Sequence, residues 1–182
     1  MMTPVFLILV GLMSRLLPHP SNAVALGAIA LYAGARLSRR WAIVVPLAIM
    51  VASDLILNYV NGYTFYPATS ITTYVTFALV AGFGGLVPKD AGGVTRAGMS
   101  VTASTVFFIV SNFVVWAEGS GLALPKTFAG LIACYSAAVW PFYVNSLLAD
   151  LVGTASLFGL DALFSRDRAA TQVAPIGELA TH

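Results

Sequence analysis

The sequence predicts an all-α, polytopic membrane bundle of about six transmembrane helices. Two observations carry that reading. Of 182 residues, 59% are hydrophobic and only 9% are charged, against about 25% charged residues in a soluble domain. The apolar residues also fall in successive stretches, each near the length that crosses the hydrocarbon core at about 1.5 Å per residue. So apolar a chain cannot cover a water-facing surface, and its length suits one bundle rather than two domains.

The first span runs from about Thr3 to Leu17 and stops at Pro18-His19-Pro20, where two prolines interrupt the hydrogen-bond ladder. The run Thr3 to Met13 followed by Ala23-Val24-Ala25 has the outline of a cleaved leader. No Lys or Arg precedes the run, however, and Arg15, Pro18 and Pro20 intervene, so it is read as a span. Ser21 or Asn22 is expected to cap a short second helix ending near Leu37. The third is expected over Trp41 to Tyr59, with a loop at Asn61-Gly62-Tyr63. The fourth covers about Ser70 to Val87, up to Pro88. The fifth covers Ala97 to Trp116, followed by a polar connection from Glu118 to Lys126. Pro141 is expected to divide the next stretch into a partial helix, Thr127 to Trp140, and a sixth span, Phe142 to Phe164. Residues 1–164 thus form the bundle, and 165–182 a polar, disordered cytoplasmic tail.

Basic residues set the orientation. With both termini inside, Arg36, Arg39, Arg40, Lys89, Arg96, Arg166 and Arg168 are cytoplasmic, and only Arg15 and Lys126 lie outside. An odd number of spans would lose that asymmetry. Pairs of small residues four apart (Ala23/Gly27, Ala30/Gly34, Ala149/Gly153, Ala155/Gly159) suit close helix packing in lipid, or a docking face for a partner membrane protein.

Two acids sit inside the spans, Asp54 and Asp150, each in an outer half. A carboxylate in hydrocarbon costs about 2.5 to 3.5 kcal/mol unless it has a partner. Arg15 is the cation at that depth, with His19 close behind it. Either acid is then a structural ion pair or part of a substrate or proton site. Asn58, Asn112, Trp116, Tyr135 and Asn145 gather at the same outer ends, with Tyr63, Tyr66, Glu118, Lys126 and Trp140. An aromatic belt explains the rings but not amides within apolar spans, which need polar partners. An outward pocket bounded by the end of the first helix, the loop after the third and the segment from Glu118 to Asn145 supplies them, and aromatic walls suit a ring-bearing ligand.

Enzyme signatures are absent. No nucleophile elbow, HExxH or Walker-type loop occurs, and the glycines from Gly82 to Gly93 lack a GK[ST] ending. Cys134 is the sole cysteine, so no intramolecular disulfide forms, and with His19 it is thin support for a metal site. A non-enzyme without cofactor or metal is expected. The basic residues form no tract beyond Arg36, Arg39 and Arg40, so nucleic acid is not an expected partner.

Three stretches carry a resemblance. Pro20 to Leu55 looks like a short small-residue helix, a basic turn and a span ending in Ser-Asp-Leu. Val110 to Trp116 places an Asn near an outer helix end. Trp140-Pro141-Phe142 through Asn145 leads into the last span. Together they resemble the S, or substrate-capture, components of energy-coupling-factor vitamin transporters. Asn145 is displaced from that family's usual position, and Gly11 followed by Arg15 departs from its alanine pair on the first helix. Arg15-Leu16-Leu17-Pro18-His19-Pro20 resembles, more closely, an uncharacterised bacterial membrane family grouped with transport proteins. The resemblance implies an S-component-like bundle in a bacterial inner membrane. It would capture a vitamin-like or cofactor-precursor molecule for uptake, by rocking in the bilayer, either alone or with an energy-coupling membrane subunit and its ATPases. Two other classes remain: a secondary transporter or channel using Asp54 and Asp150, and a structural subunit of a membrane complex.

Overall fold

A computed structural model describes residues 2–62, 67–119 and 123–173, without the side chains of Pro67 and of residues 166–173. Every regular element among the described residues is helical: α1 (Pro4–Leu16), α2 (Leu26–Arg36), α3 (Arg39–Asn61), α4 (Pro67–Gly84), α5 (Gly93–Glu118), α6 (Phe128–Ala138), a π-helical segment (Val139–Val144) and α7 (Asn145–Val173). With α6, the π segment and α7 counted as one run, this is a bundle of six helices. Three of them, α3, α5 and the run Phe128–Ser165, are long and apolar enough to cross a membrane, with mean hydropathies of 2.0, 1.7 and 1.6. Pro4–Leu16 and Ala68–Gly84 are apolar but shorter.

Local chemistry sets most of the boundaries. Thr3 caps α1 through its hydroxyl on the Phe6 N–H, with Pro4 in the first turn, where a missing N–H costs nothing. Gly62 ends α3 and Gly119 ends α5, both in the left-handed region at φ 63° and 75°, a conformation that glycine adopts without a Cβ clash. α4 stops at Gly84 rather than Val87. Its last carbonyls turn tightly onto Gly85, Leu86 and Val87.

α2 is the centre of the molecule. Leu26 and every residue from Ala28 to Ala33 are buried, and the helix packs against α3, α4 and α7. At 11 residues it is about 16 Å long, half the thickness of a hydrocarbon core. A Cβ on Gly34 would strike the Ala81 carbonyl, and one on Gly84 the Leu31 carbonyl, so the backbones of α2 and α4 touch. The Ala30/Gly34 spacing is packing of that kind.

Two expectations are corrected here. Ser21 and Asn22 do not cap α2. The helix begins four residues later, after Ala25, which has no side-chain cap. Pro141 does not separate two helices. It has no N–H to give and its ring crowds the preceding turn, and the chain widens into the π segment and stays helical, as helices do at local disruptions. α7 then continues past Phe164 to Val173, so the first part of the expected tail is helical, and residues 174–182 lie outside the described ones.

The ends of the bundle differ. At one end lie Arg36, Arg39, Arg40, Lys89 and Arg96. Arg36 Nε donates to Asp161 Oδ2 at 3.0 Å, while the guanidiniums of Arg36 and Arg96 stand 5.3 Å and 4.7 Å from the Phe158 ring. At the other end α1, α3 and α5 finish and α2, α4 and α7 begin. That second end holds the candidate site.

Candidate functional site

A cavity of about 440 Å³ reaches from the second end into the middle of the bundle. On α4 and α5 its lining runs from Thr69 to Val80 and from Ala103 to Val115, about 16 Å and about 18 Å along the helix axes. α1 contributes Arg15. The approach to α2 contributes Asn22 and Val24, its first turn Gly27, and α3 contributes Met50 and Asp54. α4 supplies Thr69, Ser70, Thr73 and Phe77. From α5 come Ser104, Phe107, Ser111 and Asn112, and from the last helical run Phe142, Ser146 and Asp150. The wall is therefore mainly apolar and aromatic, with hydroxyls and the two amides of Asn22 and Asn112 set into it.

Its three ionisable side chains are all engaged. Arg15 Nη2 donates to Asp54 Oδ1 at 2.5 Å, and the Tyr74 hydroxyl donates to Asp54 Oδ2 at 2.6 Å. Arg15 Nη1 also meets the Met50 sulfur. Of the two acids, Asp54 thus takes the expected partnership with Arg15. Asp150 is held differently. It is 5% exposed. Its Oδ1 accepts from the Ala28 N–H at 2.9 Å, its Oδ2 accepts from the Ser104 hydroxyl at 2.7 Å, and the Gly27 N–H also faces it. Those amides are the free donors of the first turn of α2, which a helix must satisfy from outside itself. Asp150 is the cap of α2, supplied from another helix 122 residues away. A Cβ on Gly27 would overlap its carboxylate, which explains the glycine.

The same device recurs at α4. Glu118, the last residue of α5, accepts from the backbone N–H groups of Ala68 at 3.2 Å and Thr69 at 2.9 Å, and from the Thr69 hydroxyl. This carboxylate clips the start of α4 to the end of α5 at the rim of the cavity.

Of the nine candidate residues named from the sequence, Arg15, Asp54, Asn112 and Asp150 line the cavity. The other five do not. His19 is exposed, its ring nitrogens against the Pro20 and Arg15 carbonyls. Asn58 lies half-buried near the end of α3. Trp116 Nε1 donates to the Pro125 carbonyl at 3.1 Å. Its ring lies 5.3 Å from Lys126 Nζ, which also bonds the Trp116 and Ala117 carbonyls and so caps the end of α5. The Tyr135 hydroxyl donates to the Ile109 carbonyl at 2.7 Å, fastening α6 to α5. Asn145 Nδ2 donates to the carbonyls of Ser21 and Pro141 at 3.0 and 2.8 Å, tying the π segment to the approach to α2. Among its described residues, the segment from Glu118 to Asn145 therefore supplies only Phe142 to the wall, a correction to the expected boundary. Tyr63 and Tyr66 lie outside the described residues. Cys134 is buried, its thiol 3.8 Å from the Asn112 carbonyl, and no group of three metal-ligating side chains occurs among the described residues.

Sequence reasoning missed Phe77, Phe107, Phe142 and the serines and threonines. A signal for them exists. Ser104, Phe107, Ser111 and Asn112 share one face of α5 at helical spacing, and Thr69, Thr73, Phe77 and Val80 share one face of α4.

No curated protein and no solved structure matches the chain. A family profile does match it, over residues 1–173, and the chain belongs to that family, described as a family of unknown function (DUF6580).

Proposed function

We propose that the chain is a non-catalytic capture component for membrane uptake, holding a small, ring-bearing molecule without net charge in the cavity between α1, α2, α3, α4, α5 and α7. The observation that carries this reading is the cavity itself. It has the size of a small-molecule site, with mainly apolar walls and a few placed polar groups. Phe77, Phe107 and Phe142 offer faces to a ring, and Ser111, Ser146 and Asn112 offer hydrogen bonds at its edge. Asp54 has an arginine and a tyrosine on its two oxygens, and Asp150 has backbone amides and a serine. That saturation supports an uncharged ligand over an ion, and capture over ion transport through Asp54 and Asp150. An open cavity with polar groups in its wall also argues against a purely structural subunit, whose core would close dry.

The basic end supports an orientation with the cavity facing outward and both termini in the cytoplasm. The resemblance to S components adds a vitamin-like or cofactor-precursor substrate and an energy-coupling partner with ATPases. Native mass spectrometry of the gently extracted protein tests the reading. The expected result is a small molecule retained by the wild type and lost from an Asn112→Leu, Phe107→Ala double variant that still folds. A wild type free of any small molecule in both detergent and nanodiscs would overturn it.

A further inference from the structure

A second hollow of about 390 Å³ lies along α4 and α5. Its α4 side runs from Ile71 to Phe83 and its α5 side from Thr102 to Val110. Ile71, Val75, Leu79 and Val106 are exposed on it. Two of its three threonines spend their hydroxyls on their own helices: the Thr76 hydroxyl donates to the Thr72 carbonyl and the Thr102 hydroxyl to the Gly98 carbonyl. What remains is an aliphatic groove about 18 Å long on its α4 side, slightly more than the roughly 15 Å depth of one leaflet of hydrocarbon.

The groove abuts the described cavity. Val80 and Ala103 line both hollows, so these two small side chains belong to the partition between them. Beside it, Phe77 and Phe107 stack at 4.8 Å between ring centroids, and towards the rim Glu118 clips α4 to α5. A ring-lined chamber with a few placed polar groups thus stands beside an apolar trough of leaflet depth. The geometry points to an amphiphile as the captured molecule: a flat, uncharged polar head in the cavity and an aliphatic tail lying in the α4/α5 groove, with entry sideways from the outer leaflet between the two helices. This rests on the capture reading and adds the ligand class and its route.

The test uses the full chain in nanodiscs and a long-chain N-alkylbenzamide probe, flat and uncharged at its head, whose chain carries a mid-chain diazirine and a terminal alkyne. After photolysis, labelled peptides are mapped. The expected result is labelling within residues 71–83 and 102–110 of the wild type. It should fall about tenfold in Asn112→Leu, which removes a hydrogen-bonding group from the cavity and leaves the groove untouched. Ala103→Phe, which thickens the partition, should lower it similarly. A thermal melt of each variant establishes that it is folded. Absence of groove labelling overturns the inference. So does labelling that is unchanged in folded Asn112→Leu, because the groove then holds bulk lipid independently of the cavity. If native mass spectrometry still finds a water-soluble molecule retained by the wild type, that outcome removes the amphiphile and leaves capture standing. If nothing is retained either, both fall.

Discussion

At the scale of single residues, the Arg15–Asp54–Tyr74 cluster is where electrostatics and packing meet. Both charged side chains are mostly covered, at 17% and 26% exposed. Removing one partner from such a pair leaves a mostly covered charge uncompensated, at a cost below the roughly 3 to 5 kcal/mol of a fully buried pair because the cavity admits water to it. Arg15→Leu is therefore expected to lower thermal stability sharply, and Arg15→Leu with Asp54→Leu to lower it less than Arg15→Leu alone. Asp54→Asn, which keeps an acceptor for Arg15, should be milder than Asp54→Leu. Melting temperatures of the four purified variants check the order. A double variant that is as unstable as the sum of the single ones would show that the two side chains do not interact. The pair was legible in the sequence, since an arginine and an aspartate at equal depth in adjacent apolar spans have few other partners. Tyr74 was not, because a tyrosine in a span reads equally well as an interfacial ring.

At the scale of elements, α2 and α4 are two helices whose first turns are completed by carboxylates from other helices. Asp150→Ala is expected to destabilise by about 1 kcal/mol or more through loss of the cap. Asp150→Asn should be milder, because its amide can still accept from Ala28 and donate to Ser104. Hydrogen exchange at Gly27 and Ala28 is the direct readout: faster in Asp150→Ala and close to wild type in Asp150→Asn. Equal exchange in all three proteins would remove Asp150 from its capping role. By the same logic, Glu118→Ala should speed exchange at Ala68 and Thr69 and leave Ala28 unchanged. Neither cap was visible in the sequence. Local capping rules look within four residues of a helix start, and these caps arrive from 122 and about 50 residues away. The expectation that Ser21 or Asn22 caps α2 failed for that reason. Pro141 misled in a related way: its missing N–H predicts a break, but a widened turn and the Asn145 amide on the Pro141 carbonyl absorb it.

At the scale of the whole molecule, the apolar composition and the spacing of the spans made the helical bundle and its approximate boundaries readable. The position of the cavity was readable in part. Arg15, Asp54, Asn112 and Asp150 were found because polar groups in apolar spans stand out. The phenylalanines and serines of the wall were not, because Phe and Ser are ordinary inside spans and only three-dimensional juxtaposition gives them a common face. His19, Trp116, Tyr135 and Asn145 share the correct end of the bundle but fasten loops and helix ends there. Orientation is a molecular property too. With both termini inside, a reporter fused near Arg168 should signal cytoplasm, and a periplasmic signal would reverse the direction in which the cavity opens.

The central claim is a water-filled cavity open to the outer side, and the accessibility of Ser111 tests it most directly. Ser111 lines the cavity from the start of the last third of α5, and a thiol reacts with maleimide only where water reaches it. In Ser111→Cys on a Cys134→Ala background, a membrane-impermeant maleimide added to right-side-out vesicles should label the protein, and a Val152→Cys control on the exposed flank of α7 should stay unlabelled in lipid. Labelling of Ser111→Cys only from inside-out vesicles, or only after denaturation, would contradict the account.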